Sequence, residues 1–144
     1  MNSDYLKIAG GLSFVVAFVH LLIPVGGPAW YRFFGAGEHM ASMAEQGLLQ
    51  PTVVTLAIAA VLALWGAYAW SAAGILPAFP VLKSALVLIT SIYLLRGILG
   101  LVAPFISDHP QVTQNSVGFW VWSSIICLVF GLVHLKGVVD KWFV

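Results

Sequence analysis

Arg96 and His20 are the residues whose position, beyond their type, invites chemistry, because each stands inside a long apolar run. An ionisable side chain in such a run is expensive to keep and is by default a functional residue. Arg96 lies nine residues before Phe105, about 13 Å in from that end of its run at 1.5 Å per helical residue. Facing lipid there, it would cost a few kcal/mol. Tyr93, Arg96 and Gly100 follow at spacings of three and four, so they share a helix face. Gly100 leaves room for a neighbouring helix or loop to approach. As a binding residue, Arg96 anchors an anionic headgroup or carboxylate. As a structural one, it snorkels outward and pairs with a loop carboxylate, Glu45 or Glu38. His20 lies about five residues from the end of its own run, on a face with Ser13, Ala17 and Pro24. Those small residues point it inward, and Pro24 frees a backbone carbonyl nearby. A lone histidine can equally be a hydrogen-bonded packing residue.

The remaining polar residues are the right types for zinc or proton transfer but lack a diagnostic spacing. Glu38-His39 and Asp108-His109 are adjacent pairs, Glu45 stands alone, and neither H-E-x-x-H nor H-x-x-x-H occurs. No metal ligand set, cofactor or catalytic residue is therefore assigned. His134 shares a face with Ser124, Cys127 and Gly131, and Val133-His134-Leu135 echoes Val19-His20-Leu21. The echo is too short to establish a repeat. The two histidines sit near opposite ends of their helices, more than about 15 Å apart along the axis, which argues against one shared haem. A single cysteine, Cys127, excludes an internal disulfide. No phosphate-binding loop, nucleophile elbow or dinucleotide fingerprint is present.

The elements that must hold these residues follow from composition. Of 144 residues 61% are hydrophobic and 8% charged, and the mean hydropathy is +1.02. Soluble domains run at about 45–50% apolar and about 25% charged. Eleven charged side chains cannot clothe such a chain in water. The net charge of +1 offers nothing to a polyanion, so nucleic acid is not an expected partner. About 20 apolar residues cross a bilayer, and four runs qualify, over about 8–25, 51–70, 84–105 and 119–139. The fold class expected is an all-α membrane protein. It is a single four-helix transmembrane bundle covering residues 1–144, with a short interfacial or re-entrant helical loop between the first two spans. The first run is too long for the 7–15 residues of a signal core and no cleavage site follows, so it reads as an uncleaved span.

Four spans put Lys7, Lys83, Lys136 and Lys141 on one side and Arg32 on the other. Excess positive charge stays in the cytoplasm, so both termini are expected there, in a cell inner membrane. Aromatic residues mark both interfaces, Trp30, Tyr31, Phe33 and Phe34 outside and Trp142 and Phe143 inside. Gly26-Gly27-Pro28 breaks the first helix, Glu38–Glu45 forms a short helix after Gly35 and Gly37, and Pro51 opens the next span. This loop is expected to fold over the bundle mouth.

Together these features predict a non-catalytic bundle that binds or moves a lipid or another small amphipathic ligand. The expected pocket faces outward, formed by His20, Tyr93 and Arg96 with Trp30, Glu38 and Glu45 in its lid. Two rivals stand beside this reading. One is a small membrane enzyme using histidine and carboxylate acid–base or metal chemistry. The other is an accessory subunit whose charges dock a membrane partner or a second copy.

Overall fold

The computed structural model describes residues 4–144, and every regular element among them is helical. Four long helices, α1 (Asp4–Phe33), α3 (Gln50–Ala72), α4 (Leu82–Ile106) and α6 (Val117–Trp142), contain the four expected runs. Each is long and apolar enough to cross a membrane. Two short helices, α2 (Glu38–Glu45) and α5 (Pro110–Thr113), lie in the α1–α3 and α4–α6 connections. The long helices alternate in direction. The first described residue, the C-terminus and the α3–α4 turn thus share one end, the terminal end, and α2 and α5 occupy the other, the loop end.

The bundle is two hairpins side by side. α1 packs on α3 and α4 on α6 most extensively, α1 meets α6 along a smaller face, and α3 meets α4 along a smaller one still. Within the second hairpin the backbones come close because glycine alternates with leucine. A Cβ on Gly97 would stand 2.5 Å from Leu128 Cγ, and one on Gly131 2.8 Å from Leu94 Cγ. Each leucine thus sits in the notch opposite, the packing of small residues that joins helices where solvent gives no drive. In the first hairpin, Phe14 and Trp70 meet with centroids 4.7 Å apart. The Trp70 indole N–H also donates to the Lys7 carbonyl at 3.0 Å.

The core lies toward the terminal end, where Leu6, Ala9, Ala69, Leu86, Ile89 and Val138 are buried. Tyr93 is its hub. Its hydroxyl pairs with Ser13 of α1 at 3.0 Å, and its ring meets Trp65 of α3 and Phe130 and His134 of α6 at 5.1, 5.6 and 5.1 Å. One side chain of α4 therefore touches the other three long helices. Outside this core the helices have no polar face, since Val15, Phe18, Leu88, Leu99 and Val129 all stand exposed. Only 17% to 33% of each helix's most apolar window is buried. An amphipathic helix in water would turn charge outward instead.

Candidate ligand-binding site

α1 cannot run straight to Phe33. Pro24 has no N–H for the His20 carbonyl, and Pro28 has none for the carbonyl of Pro24. Between them Gly27 takes φ 66°, ψ −154°, a conformation open to glycine and closed to most residues with a Cβ. The last turn of α1 therefore folds over, which brings Tyr31 back beside Ile23 and against Ala41 of α2. Under this fold-back lies a cavity of about 300 Å³ between α1, α2 and α3, lined by His20, Ile23, Tyr31, Phe34, Thr55 and Ile58 among others. Its rim residues Phe34, Val54 and Ile58 are exposed on the apolar belt of the bundle, so the cavity opens sideways.

Two polar groups stand out in this apolar lining. His20 Nδ1 lies 2.8 Å from the Val16 carbonyl. A carbonyl can only accept, so Nδ1 carries a proton, and in the neutral ring Nε2 is then the nitrogen with the lone pair. Among the described residues nothing bonds to Nε2. Tyr31 is 1% exposed, and its hydroxyl is buried with no hydrogen-bond partner. Thr55 is satisfied locally, its hydroxyl donating to the Pro51 carbonyl at 2.8 Å. An unpaired buried hydroxyl costs about 1–3 kcal/mol, so Tyr31 calls for an explanation.

The roof is held by charge. Arg32 Nε donates to Glu38 Oε2 at 2.8 Å, and its Nη2 to Glu38 Oε1 at 2.6 Å and Glu45 Oε1 at 2.8 Å. This bidentate fork ties both ends of α2 to the end of α1. The guanidinium holds the Glu38 carboxyl below the usual carboxylate range by hydrogen bonding to its charged form. Phe119 of α6 lies over Gly35, and the Asn115 amide donates to the Gly35 carbonyl at 3.1 Å, fixing the roof to the second hairpin.

The six residues expected to form one pocket are thus distributed over several places. His20 lines the cavity. Trp30 lines a separate apolar groove with Ala29, Phe33 and Phe34. Glu38 and Glu45 face Arg32, and Tyr93 is consumed in the core. The expected pairing of Arg96 with Glu38 or Glu45 is corrected: Arg32 is six residues from Glu38 across a tight turn and takes both carboxylates.

Arg96 instead stays within its own hairpin. Its Nη1 donates to Ser124 Oγ at 3.2 Å and its Nη2 to Ser123 Oγ at 3.1 Å. Cζ stands 4.9 Å from the centre of the Trp120 ring. A Cβ on Gly100 would come within 2.2 Å of both Nη1 and Ser124 Oγ, so the glycine is what lets the guanidinium lie there.

His134 is fully buried, with Nδ1 against the Phe130 carbonyl at 2.8 Å and Nε2 unpartnered. Among the described residues no group of three His, Cys, Asp or Glu side chains converges in a way that could hold a metal ion. His109 caps α5, its Nδ1 accepting from the Gln111 N–H at 3.2 Å. Tyr31, as a cavity residue, was not legible from spacing, since beside Trp30, Phe33 and Phe34 it reads as one more interface aromatic. No family model, characterised protein or solved structure matches this chain, and its site is therefore read from its own geometry.

Proposed function

We propose that this chain is a multi-pass membrane protein that binds the polar head of a hydroxyl-bearing amphiphile in the cavity beneath the α1–α2 fold-back. The observation that carries the reading is that two residues lining that cavity have unused polar atoms, Tyr31 Oη, buried and unpaired, and His20 Nε2, to which no described residue bonds. Nε2 of the neutral ring would accept and the phenol both donates and accepts, so together they suit a hydroxyl, which does both. The volume is at the low end of ligand pockets, about 300–1,000 Å³, which suits a headgroup whose chain stays in the bilayer. The sideways opening onto exposed Val54 and Ile58 gives that chain somewhere to lie. Nothing in this arrangement requires a bond to be made or broken, so we read binding or movement of the ligand rather than catalysis.

Four lysines at the terminal end, against Arg32 at the loop end, support cytoplasmic termini and an inner-membrane location. A reporter fused to the C-terminus checks the orientation.

The test of the cavity is a thermal titration of purified protein in maltoside micelles with monoolein, which has free hydroxyls, and with methyl oleate, which has none. Monoolein is expected to raise the melting temperature saturably, and His20→Ala or Tyr31→Phe to weaken that response. Equal shifts by the two compounds, or variants that respond like wild type, overturn the reading.

A further inference from the structure

Arg96 is a second place where a charge lacks an opposite. Every carboxylate side chain of the protein lies within residues 4–144. Of these, Glu38 and Glu45 pair with Arg32 and Asp140 with Lys136, and Asp108, exposed in the turn after α4, makes no ion pair with Arg96 or any other described residue. Asp4 pairs with Lys7. Among the described residues Arg96 has only two serine hydroxyls and an indole face. Five N–H donors radiate from a guanidinium, and two are used.

The direction of the side chain tells what the others await. Helical side chains normally tilt toward the helix N-terminus. This one runs the other way, forward over Gly100 and along the loop-end turns of α6, toward Trp120. Twenty-five residues make α4 about 37 Å long, so it overhangs a hydrocarbon core of about 30 Å by about 4 Å at each end. Gly100 lies six residues, about 9 Å, before Ile106. The guanidinium therefore rests about 5 Å inside the hydrocarbon boundary, a depth from which arginine reaches headgroups by snorkelling and local thinning. Arg96 is half-buried, with exposed Ile92 and Leu99 on its lipid side.

We infer that Arg96, braced by Ser123, Ser124 and Trp120 over the Gly100 notch, is a binding site for a phosphate group at the loop-end surface of the membrane. A planar fork matches two phosphate oxygens at once, and the serines hold it from the protein side, leaving its remaining donors for the anion. Phospholipid is the favoured source, since Ile92 and Leu99 offer the acyl chains a wall. The inference shares the membrane placement of the preceding reading but not its cavity, which lies in the other hairpin.

The chain has two arginines, Arg32 and Arg96, so selective ¹⁵N labelling gives two guanidinium signals in maltoside micelles, assigned with Arg32→Lys. Dihexanoyl phosphatidylglycerol is expected to move the Arg96 signal saturably. Arg32, already held by two carboxylates, stays still. Dihexanoylglycerol, which lacks the phosphate, is expected to move neither. Inorganic phosphate moving Arg96 as far as the lipid does supports the site and assigns it to free phosphate. An Arg96 signal indifferent to both phosphates, or both arginines moving together, overturns the inference. Neither result touches the monoolein response, so failure here and failure of the cavity reading are separate.

Discussion

Tyr31→Phe removes one oxygen and, on the reasoning above, should make the protein more stable. The Tyr31 ring is buried against Ile23 and Ala41, and its hydroxyl has no partner. Leaving such a group unpaired costs about 1–3 kcal/mol, and phenylalanine keeps the shape while deleting the cost. For a chain of 144 residues, each kcal/mol moves the melting temperature by about 2–4 °C. Delipidated Tyr31→Phe should thus melt about 2–12 °C above wild type, by differential scanning fluorimetry or by loss of helical circular dichroism. With monoolein the order should narrow or reverse. Wild type gains about 2.7 kcal/mol at a hundred times its Kd. The variant forgoes a hydrogen bond worth about 0.5–1.5 kcal/mol net, so its Kd rises about two- to tenfold. Tyr93→Phe is the control with the opposite sign. Its hydroxyl is bonded to buried Ser13, so deleting it strands a partner and should cost about 1–3 kcal/mol. If both substitutions destabilise alike, Tyr31 has a hydrogen-bond partner after all and the cavity loses its reason to bind a hydroxyl.

Arg96→Leu should change the stability of delipidated protein by less than about 1.5 kcal/mol, because two serine bonds are lost as a costly cation leaves. A loss of about 3–5 kcal/mol, the usual result of breaking a buried ion pair, would point to an anionic partner inside the bundle. Gly97→Ala drives a Cβ to 2.5 Å from Leu128 Cγ and should cost about 1–3 kcal/mol by overpacking. Gly11→Ala, with nothing within 4 Å, should instead gain about 0.5–1 kcal/mol, and equal effects in a melting assay would refute the glycine-notch account of the second hairpin. Glu38 has a lowered carboxyl pKa, so the Arg32 clamp is intact above the unfolded value of about 4.3 and is lost as pH falls through the folded one. Hydrogen exchange of α2 amides should therefore rise only in acid, and Arg32→Gln should produce the same rise at pH 7.

What the sequence carries and what it withholds divide along physical lines. The four long helices were legible because each is a run of apolar residues long enough to span a bilayer, and only a long helix satisfies its own backbone there. The helix Glu38–Glu45 was legible from the glycines before and after it. α5 was not, since a four-residue helix opening on Pro110 has no period to read. His20 stands out by its type and its place inside an apolar run, and the structure puts it in the lining of a cavity. Tyr31 is placed by the fold-back at Gly27, whose angle depends on α2 docking beneath it. Arg96 was legible as an anomaly but its partners were not. The choice between Glu38 and Ser124 depends on which way a long side chain leans, and Gly100 opens the forward direction.

The uneven contact among the long helices bears on how the chain assembles. Each hairpin closes on itself between spans that follow one another in the chain, by the Phe14–Trp70 contact in one and the Leu94 and Leu128 notches in the other. The first hairpin can therefore form while the second is still being synthesised, and docking comes last, through α1 against α6 and Tyr93 against Ser13. The α3–α4 turn then ties together two halves that already recognise each other by another face. A chain severed in that turn, between Gly74 and Pro80, should reassociate from its two pieces when they share one bilayer.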